Sequence, residues 1–266
     1  MTAETLIIDS TARSRGGVLL GFRTVFRKEL TEWLRGRAGF IVSAVAIASA
    51  IFTTLIPFVV KATGQAAVGV TITNDPTANV LVGWRGSQTF AVIVVLATMS
   101  LLSAERDRGT LAWSLSNPVS PSSFIAAKFC AAVLVVGTAT VIIPLTISVL
   151  VATVAYGSIP NLGTVALFAG LFLTLPIFYI ALTIALGTVV KSTAGVAGIA
   201  FLVIFLPSIF GALLPIVNEA SPTSIGMWAW GTATGEAASM LTLAGWAVSV
   251  AILMAGAKLV FDRQEF

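Results

Sequence analysis

Long charge-free stretches separated by short charged segments predict the membrane-spanning helices of this chain. A transmembrane helix needs about 20 mostly apolar residues. The longest such stretch, Phe129 to Val190, has room for two helices. The residues at 156–161 divide it, because Gly, Pro and Asn favour turns. The sequence therefore predicts an all-α membrane protein whose residues 38–260 form six spans, at about 39–60, 86–104, 124–155, 162–190, 194–217 and 238–258.

The distribution of basic residues predicts the orientation of these spans. An even number of spans puts both termini on the same side of the membrane. If that side is the cytoplasm, residues 61–85 form a long outer loop, and only Lys61 and Arg85 of the 15 basic residues face outside. This agrees with the excess of Lys and Arg in short cytoplasmic loops. We therefore expect a multi-pass protein with a flexible cytoplasmic tail at 1–18 and a cytoplasmic C-terminus at 261–266. The membrane surface also explains why basic residues outnumber acidic ones, so the net positive charge does not require a nucleic-acid partner.

An amphipathic helix is predicted at residues 19–37, before the first span. The apolar residues on one face are three or four positions apart: Leu19, Phe22, Phe26, Leu30 and Trp33. Basic residues such as Lys28 lie on the other side, which is typical of a helix in the membrane interface. Glu29 projects close to the apolar face. Its carboxylate needs either a cationic or hydrogen-bonding partner, such as one in a cytoplasmic loop, or a path to water.

The segment after the second span leaves the membrane. Four adjacent charged residues at 105–108 would each cost about 2.5–3.5 kcal/mol at the centre of a bilayer. The residues that follow predict a short helix containing Leu111, which Asn117 and Pro118 end. Ser120 and Pro121 then fit the N-cap and first position of the third span. The segment is either an ordinary solvated loop or a docking site for a cytoplasmic partner.

The outer segment at 218–236 is too apolar for a free loop, and too short and too broken by Gly and Pro for a span. We expect a re-entrant or interfacial hairpin between the fifth and sixth spans, with Trp228 and Trp230 at the level of the headgroups. An aromatic belt without a further role is the alternative.

Composition narrows the classes of function. Charged residues make up 10% of the chain and the mean hydropathy is +1.01, against roughly 25% charged residues in soluble domains. The chain has no His, which removes the usual general base and the commonest metal ligand. We predict no catalytic, cofactor-binding or metal-binding residue. An intramembrane enzyme would need polar catalytic groups within the spans. An ion-coupled secondary transporter or channel, which works without ATP, is the alternative function. It would need carboxylates or broken helices at the midplane of the membrane.

Three short motifs resemble those of the permeases of ABC-2-type transporters. Residues 105–111, 117–120 and 128 are similar to the E-x-x-x-G-T-L, x-P-V-S and K elements of that family. Residues 27–30 resemble its N-terminal K-E-L element, and residues 261–264 its basic C-terminal tail. The residues that match the region expected to dock an ATPase are Glu105, Arg106, Asp107, Arg108, Gly109, Thr110, Leu111, Pro118, Val119 and Ser120.

The resemblance implies a division of labour between chains. Family members form pairs of six-span subunits, as homodimers or heterodimers, in the plasma membrane of prokaryotes. Each subunit docks a cytoplasmic ATPase, two copies in all, through a coupling helix after the second span and through the N-terminal interfacial helix. Because this chain lacks the G-x-x-x-x-G-K-[ST] motif, ATP and Mg²⁺ would bind to the partner ATPase. The implied function is export of an amphipathic or hydrophobic substrate.

Overall fold

The structure is a computed structural model that describes residues 21–63, 75–85, 88–107, 120–210, 219–236 and 238–263. Within these ranges every regular element is a helix. The α-helices are α1 (Phe22–Arg35), α2 (Arg37–Thr63), α3 (Pro76–Arg85), α4 (Gln88–Thr98), α5 (Ser103–Asp107), α6 (Pro121–Gly137), α7 (Ile143–Tyr156), α8 (Leu162–Phe172), α9 (Thr174–Val189), α10 (Thr193–Phe210), α11 (Ile225–Thr234) and α12 (Met240–Asp262). A π-helical turn (Thr138–Ile142) joins α6 to α7, and a 3-10 turn (Pro222–Ser224) precedes α11.

Five helical segments among the described residues are long and apolar enough to cross a membrane. They are Arg37–Val60, Gln88–Glu105, Pro121–Tyr156, Leu162–Val189 and Met240–Asp262. They correspond to the first, second, third, fourth and sixth predicted spans. The predicted fifth span begins in α10, where the apolar helix Thr193–Pro207 is shorter, and its end at 211–217 lies outside the described residues. The six-span layout therefore stays a prediction.

The helix start predicted at Ser120 and Pro121 and the turn predicted at 156–161 are confirmed. The side chain of Ser120 accepts a hydrogen bond from the backbone N–H of Ser123 at 3.2 Å, and Pro121 opens α6. At the other end the chain leaves α7 through Gly157, whose φ of 68° is in the left-handed region that favours glycine. Asn161 then caps α8 by accepting from the next backbone N–H groups. The turn that the sequence places between the third and fourth spans is thus built by the residues that predicted it.

Several helix ends meet at one end of the bundle, which we call the Lys128 end. Phe124 near the start of α6 stacks on Phe261 near the end of α12, with ring centroids 5.8 Å apart. The hydroxyls of Ser103 and Thr193, at the starts of α5 and α10, are 2.8 Å apart. Helix α9 lies centrally and packs against α4, α6 and α12. The ends of three candidate spans therefore lie close together beside Lys128.

The buried helix α3 was not predicted, because its residues were assigned to an outer loop at 61–85. Its Trp84 is fully buried, stacks on Phe90 at 4.2 Å and donates from Nε1 to the hydroxyl of Ser148 at 3.3 Å. A Cβ on Gly83 would lie 2.7 Å from the carbonyl oxygen of Thr53, so glycine lets α3 contact the backbone of α2. The loop prediction was wrong here because ten residues are too few to register as a span.

The outer segment contains the helix α11, which packs against α8 and α3. Trp228 and Trp230 are both 8% exposed. The guanidinium carbon of Arg85 lies 4.6 Å from the ring centroid of Trp230, within the range of a cation–π interaction. Both indoles therefore pack largely within the protein, and their placement at the headgroup level stays a prediction.

Candidate coupling site

Four charged residues from three helices form an ion-pair cluster at the Lys128 end. Lys128 Nζ donates to Glu29 Oε1 at 2.7 Å and lies 3.0 Å from Glu105 Oε1. Lys28 Nζ lies 3.8 Å from the same Glu105 oxygen and 3.6 Å from Glu32 Oε1 on its own helix. The ion-pair cluster, defined as Lys28, Glu29, Glu105 and Lys128, thus joins α1, α5 and α6 through one buried ammonium group.

The sequence brings these side chains together through three local features. The amphipathic pattern of α1 places Glu29 on the face that packs against α6, where its neighbours Val25 and Trp33 contact the core. The cap at Ser120 sets the start of α6, so that Lys128 falls two turns into the helix. Helix α5 continues the second span out of its apolar part and ends within two residues of Glu105.

Burial sets the electrostatics of the ion-pair cluster. Glu29 is 3% exposed and Lys128 is 2% exposed, and they are the buried charged residues among those that the structure describes. The side chain of Glu105 is 16% exposed and that of Lys28 is 48% exposed. The exposure of the charged side chains to water therefore increases from Lys128 outward to Lys28.

Burial also raises the pKa of the Glu29 carboxyl above its ordinary value of 4.5. The Lys128 ammonium opposes this rise, and the carboxylates of Glu105 and Glu32 add to it. An ion pair at 2.7 Å normally lowers the pKa of a carboxyl. Here loss of hydration has the larger effect, because the Glu29 carboxyl is almost completely buried.

Lys128 has further contacts that hold it in place. Its Nζ lies 5.2 Å from the ring centroid of Phe124, one turn earlier on α6, and Phe124 stacks on Phe261 of α12. An ammonium bound by two carboxylates and an aromatic face has little freedom to move. Among the described residues, no group of three or more His, Cys, Asp or Glu side chains could hold a metal ion. The arrangement connects α5 to both α1 and α6 through Lys128.

The structure brings together some of the predicted site residues. On α1, Phe22 and Phe26 stack with centroids 5.8 Å apart, Leu30 and Trp33 are half-buried, and Lys28 and Glu29 enter the ion-pair cluster. Arg106 and Asp107 lie on α5, where only their backbone is described. Six predicted residues lie outside the described residues: Arg108, Gly109, Thr110, Leu111, Pro118 and Val119. Their proposed contacts to an ATPase, and the coupling helix itself, stay predictions.

The sequence predicted that the Glu29 carboxylate needs either a partner or a path to water, but it did not identify Lys128 as the partner. It also did not single out Phe124 or Phe261. One signal was present, since Lys128 is a lone cation immediately before 62 charge-free residues at 129–190. A charge at such a place, inside a helix that opens at Ser120, favours a specific partner over a free path to water.

A comparison with known protein families identifies a family that matches this chain. The profile described as "ABC-2 family transporter protein" matches residues 23–266, which is nearly the whole chain. Among curated proteins, none matches the chain at a significant level of similarity. The matched range includes α1 from its second residue onward, the ion-pair cluster and the five candidate membrane spans among the described residues. The chain therefore belongs to the ABC-2 family of transporter proteins, and it is a membrane permease of that family.

Proposed function

We propose that the chain is the permease subunit of an ATP-driven exporter that moves an amphipathic or hydrophobic substrate across the plasma membrane of a prokaryote. Its termini lie in the cytoplasm. A second permease subunit completes the pathway, and two copies of a separate cytoplasmic ATPase bind ATP and Mg²⁺. The family supports a partner ATPase, and the apolar spans support a substrate without free charge.

The observation that carries this proposal is the ion-pair cluster. A permease driven by a separate ATPase must convert movement at a docking segment into movement of its spans. Glu105 lies at the start of the segment after the second span, and Lys128 joins it to α1 and to the third span. Because side chains in such a contact have few alternative positions, the three helices move together.

The geometry supports different roles for the charged residues after the second span. Glu105 is already bound to Lys128 and Lys28, so its carboxylate fixes the position of the segment. Contacts to the ATPase are therefore proposed for Arg106, Asp107 and Arg108, rather than equally for all four charges. This separates loss of docking from loss of transmission.

The experiment uses the permease purified with its ATPase and reconstituted in liposomes. Arg106→Glu with Arg108→Glu should release the ATPase during purification. Glu105→Gln should leave the ATPase bound and reduce the stimulation of ATP hydrolysis by the permease. Arg263→Glu at the end of α12 is the matched control, because it reverses an exposed charge at the same end of the bundle.

Retention of the ATPase and full stimulation in the Arg106→Glu/Arg108→Glu variant would contradict the docking assignment. Transport that continues without ATP, driven instead by an ion gradient, would favour a secondary transporter and overturn the proposed function.

A further inference from the structure

An apolar groove lies where α1 meets α2, outside the ion-pair cluster. Its volume is about 530 Å³, and the residues that shape it include Trp33, Gly36, Gly39 and Ser43 on one wall and Leu134 and Thr138 on the other. The hydroxyl of Ser43 donates to the Gly39 carbonyl at 2.9 Å, and that of Thr138 to the Leu134 carbonyl at 2.6 Å. Because each hydroxyl is bonded within its own helix, both walls are effectively apolar.

Backbone features keep this groove open. Gly36 ends α1 in an extended conformation, with φ −76° and ψ 143°, and turns the chain into α2. A Cβ on Gly39 would lie 2.7 Å from the carbonyl oxygen of Trp33, so no side chain is accommodated there. On the opposite wall, the N–H of Ile143 bonds to the Thr138 carbonyl five residues earlier, in a π-helical turn. Pro144 follows and has no N–H to continue the α-helical pattern.

Two cationic residues adjoin a lining residue of the groove in sequence, and two of its lining residues are exposed apolar side chains. Arg35 and Arg37 flank Gly36 in sequence, and both are exposed. Leu34 is 72% exposed and Phe40 is 78% exposed. From Gly36 to Ser43 the groove follows α2 for two turns, about 10 Å at 1.5 Å per residue. Two exposed arginines therefore flank the lining residue Gly36, and from there the groove runs along the apolar part of a candidate span.

We propose that this groove is a binding site for an anionic phospholipid from the leaflet at the Lys128 end. The phosphate binds Arg35 and Arg37, and one acyl chain lies along Gly36, Gly39 and Ser43 against Leu134 and Thr138. Since a bilayer is as apolar as the groove, preference for this lipid comes from the two arginines and from shape. The site requires neither the ATPase nor a transported substrate.

The lipid would contact both walls of the junction between α1 and the third span. One wall combines the end of α1 with the start of α2, and the other combines the end of α6 with the π-helical turn that follows it. A lipid in the groove would therefore contact both helices that Glu29 and Lys128 join, together with the start of α2. The docked position of α1 then depends on the anionic lipid content of the membrane.

Native mass spectrometry of the full-length protein, released from nanodiscs with equal phosphatidylglycerol and phosphatidylcholine, tests this site. The wild type should keep phosphatidylglycerol in preference to phosphatidylcholine. Thr138→Leu fills the groove and should remove one bound lipid per chain. Thr146→Leu is the matched control, because Thr146 is also exposed on the third span and its hydroxyl also bonds four residues back, at 2.8 Å, but it lies outside the groove.

The headgroup is tested by Arg35→Gln with Arg37→Gln. Each arginine near an anionic headgroup contributes about a fivefold preference, so the pair should lose roughly 25-fold in selectivity for phosphatidylglycerol while a neutral lipid still binds. Arg263→Gln should change nothing. Ser43→Leu fills the groove from the other wall and should repeat the effect of Thr138→Leu, which guards against a folding defect in one variant.

Equal lipid retention in Thr138→Leu and Thr146→Leu would overturn the proposal. Loss of a dimer in Thr138→Leu with unchanged bound lipid would also overturn it, because a second copy of the chain would then occupy the groove. Undiminished phosphatidylglycerol preference after removal of both arginines would exclude the headgroup assignment.

Discussion

Replacing Lys128 by Met removes the buried cation of the ion-pair cluster and keeps a side chain of similar length. Glu29 and Glu105 would then lie near each other without the ammonium group that both of them bind. Glu29 is only 3% exposed, so water cannot replace this cation. Removing one partner of a buried ion pair costs about 3–5 kcal/mol, because the remaining charge stays buried without compensation. We therefore expect α1 to detach from α6.

Protonation of Glu29 limits this loss. Neutralising a carboxyl with an ordinary pKa of 4.5 costs about 1.4 kcal/mol for each pH unit above that value, or roughly 4 kcal/mol at about pH 7.5. At about pH 5.5 the same step costs only about 1.4 kcal/mol. The variant should thus lose about a thousandfold in the protection of α1 near neutral pH, and about tenfold in mild acid.

Hydrogen–deuterium exchange of the peptide covering Phe22–Arg35 measures this protection, after correction for the intrinsic exchange rate at each pH. The matched control is Lys258→Met, because Lys258 is an exposed cation on α12. The double variant Glu29→Leu/Lys128→Met should recover most of the protection, since apolar side chains can replace a buried ion pair at little or no cost.

The reasoning would be refuted if Lys128→Met exchanged like Lys258→Met. It would also be refuted if the loss of protection were the same at both pH values, because the penalty would then not arise from buried carboxylates. A double variant that is worse than Lys128→Met would show that α1 is held by the charges rather than by its apolar face.

Three further predictions concern Glu29, Gly83 and Thr183. Because burial raises the pKa of Glu29, this carboxyl binds a proton more tightly when α1 is docked than when α1 is detached. The protection of α1 from hydrogen exchange should therefore be greatest below pH 4.5 and fall as pH rises through the raised pKa. Glu29→Gln should abolish this pH dependence in exchange measurements. Gly83→Ala should lower thermal stability by about 1–3 kcal/mol, because its Cβ would lie 2.7 Å from a carbonyl oxygen of α2; Gly198→Ala, where no atom lies within 4 Å, should not, and equal melting temperatures would contradict the close approach. Thr183→Val removes a 2.9 Å hydrogen bond to Thr98 between α9 and α4 and should cost only about 0.6 kcal/mol in a denaturant titration, so a loss several times larger would indicate a further role for this hydroxyl.

Sequence pattern alone determined the start of α6 and the turn between α7 and α8. The boundaries at Ser120 and at 157–161 depend on caps, glycine and proline, whose effects act within a few residues. The long apolar runs identify spans because a bilayer requires a minimum length of uncharged helix. Position along the chain was sufficient for these features, and the structure reproduces them.

The helix α3 and the ion-pair cluster were decided by tertiary structure. Ten residues at 76–85 form a helix because Trp84 finds an aromatic and hydrogen-bonding environment made by α4 and α7, and nothing in the local pattern specifies those partners. Likewise, the amphipathic pattern showed that Glu29 needed either a partner or a path to water. The partner is 99 residues away in sequence, and only the packing of α1 on α6 identifies it as Lys128. A local pattern can show that a carboxylate must be compensated, but which cation compensates it depends on how the helices pack.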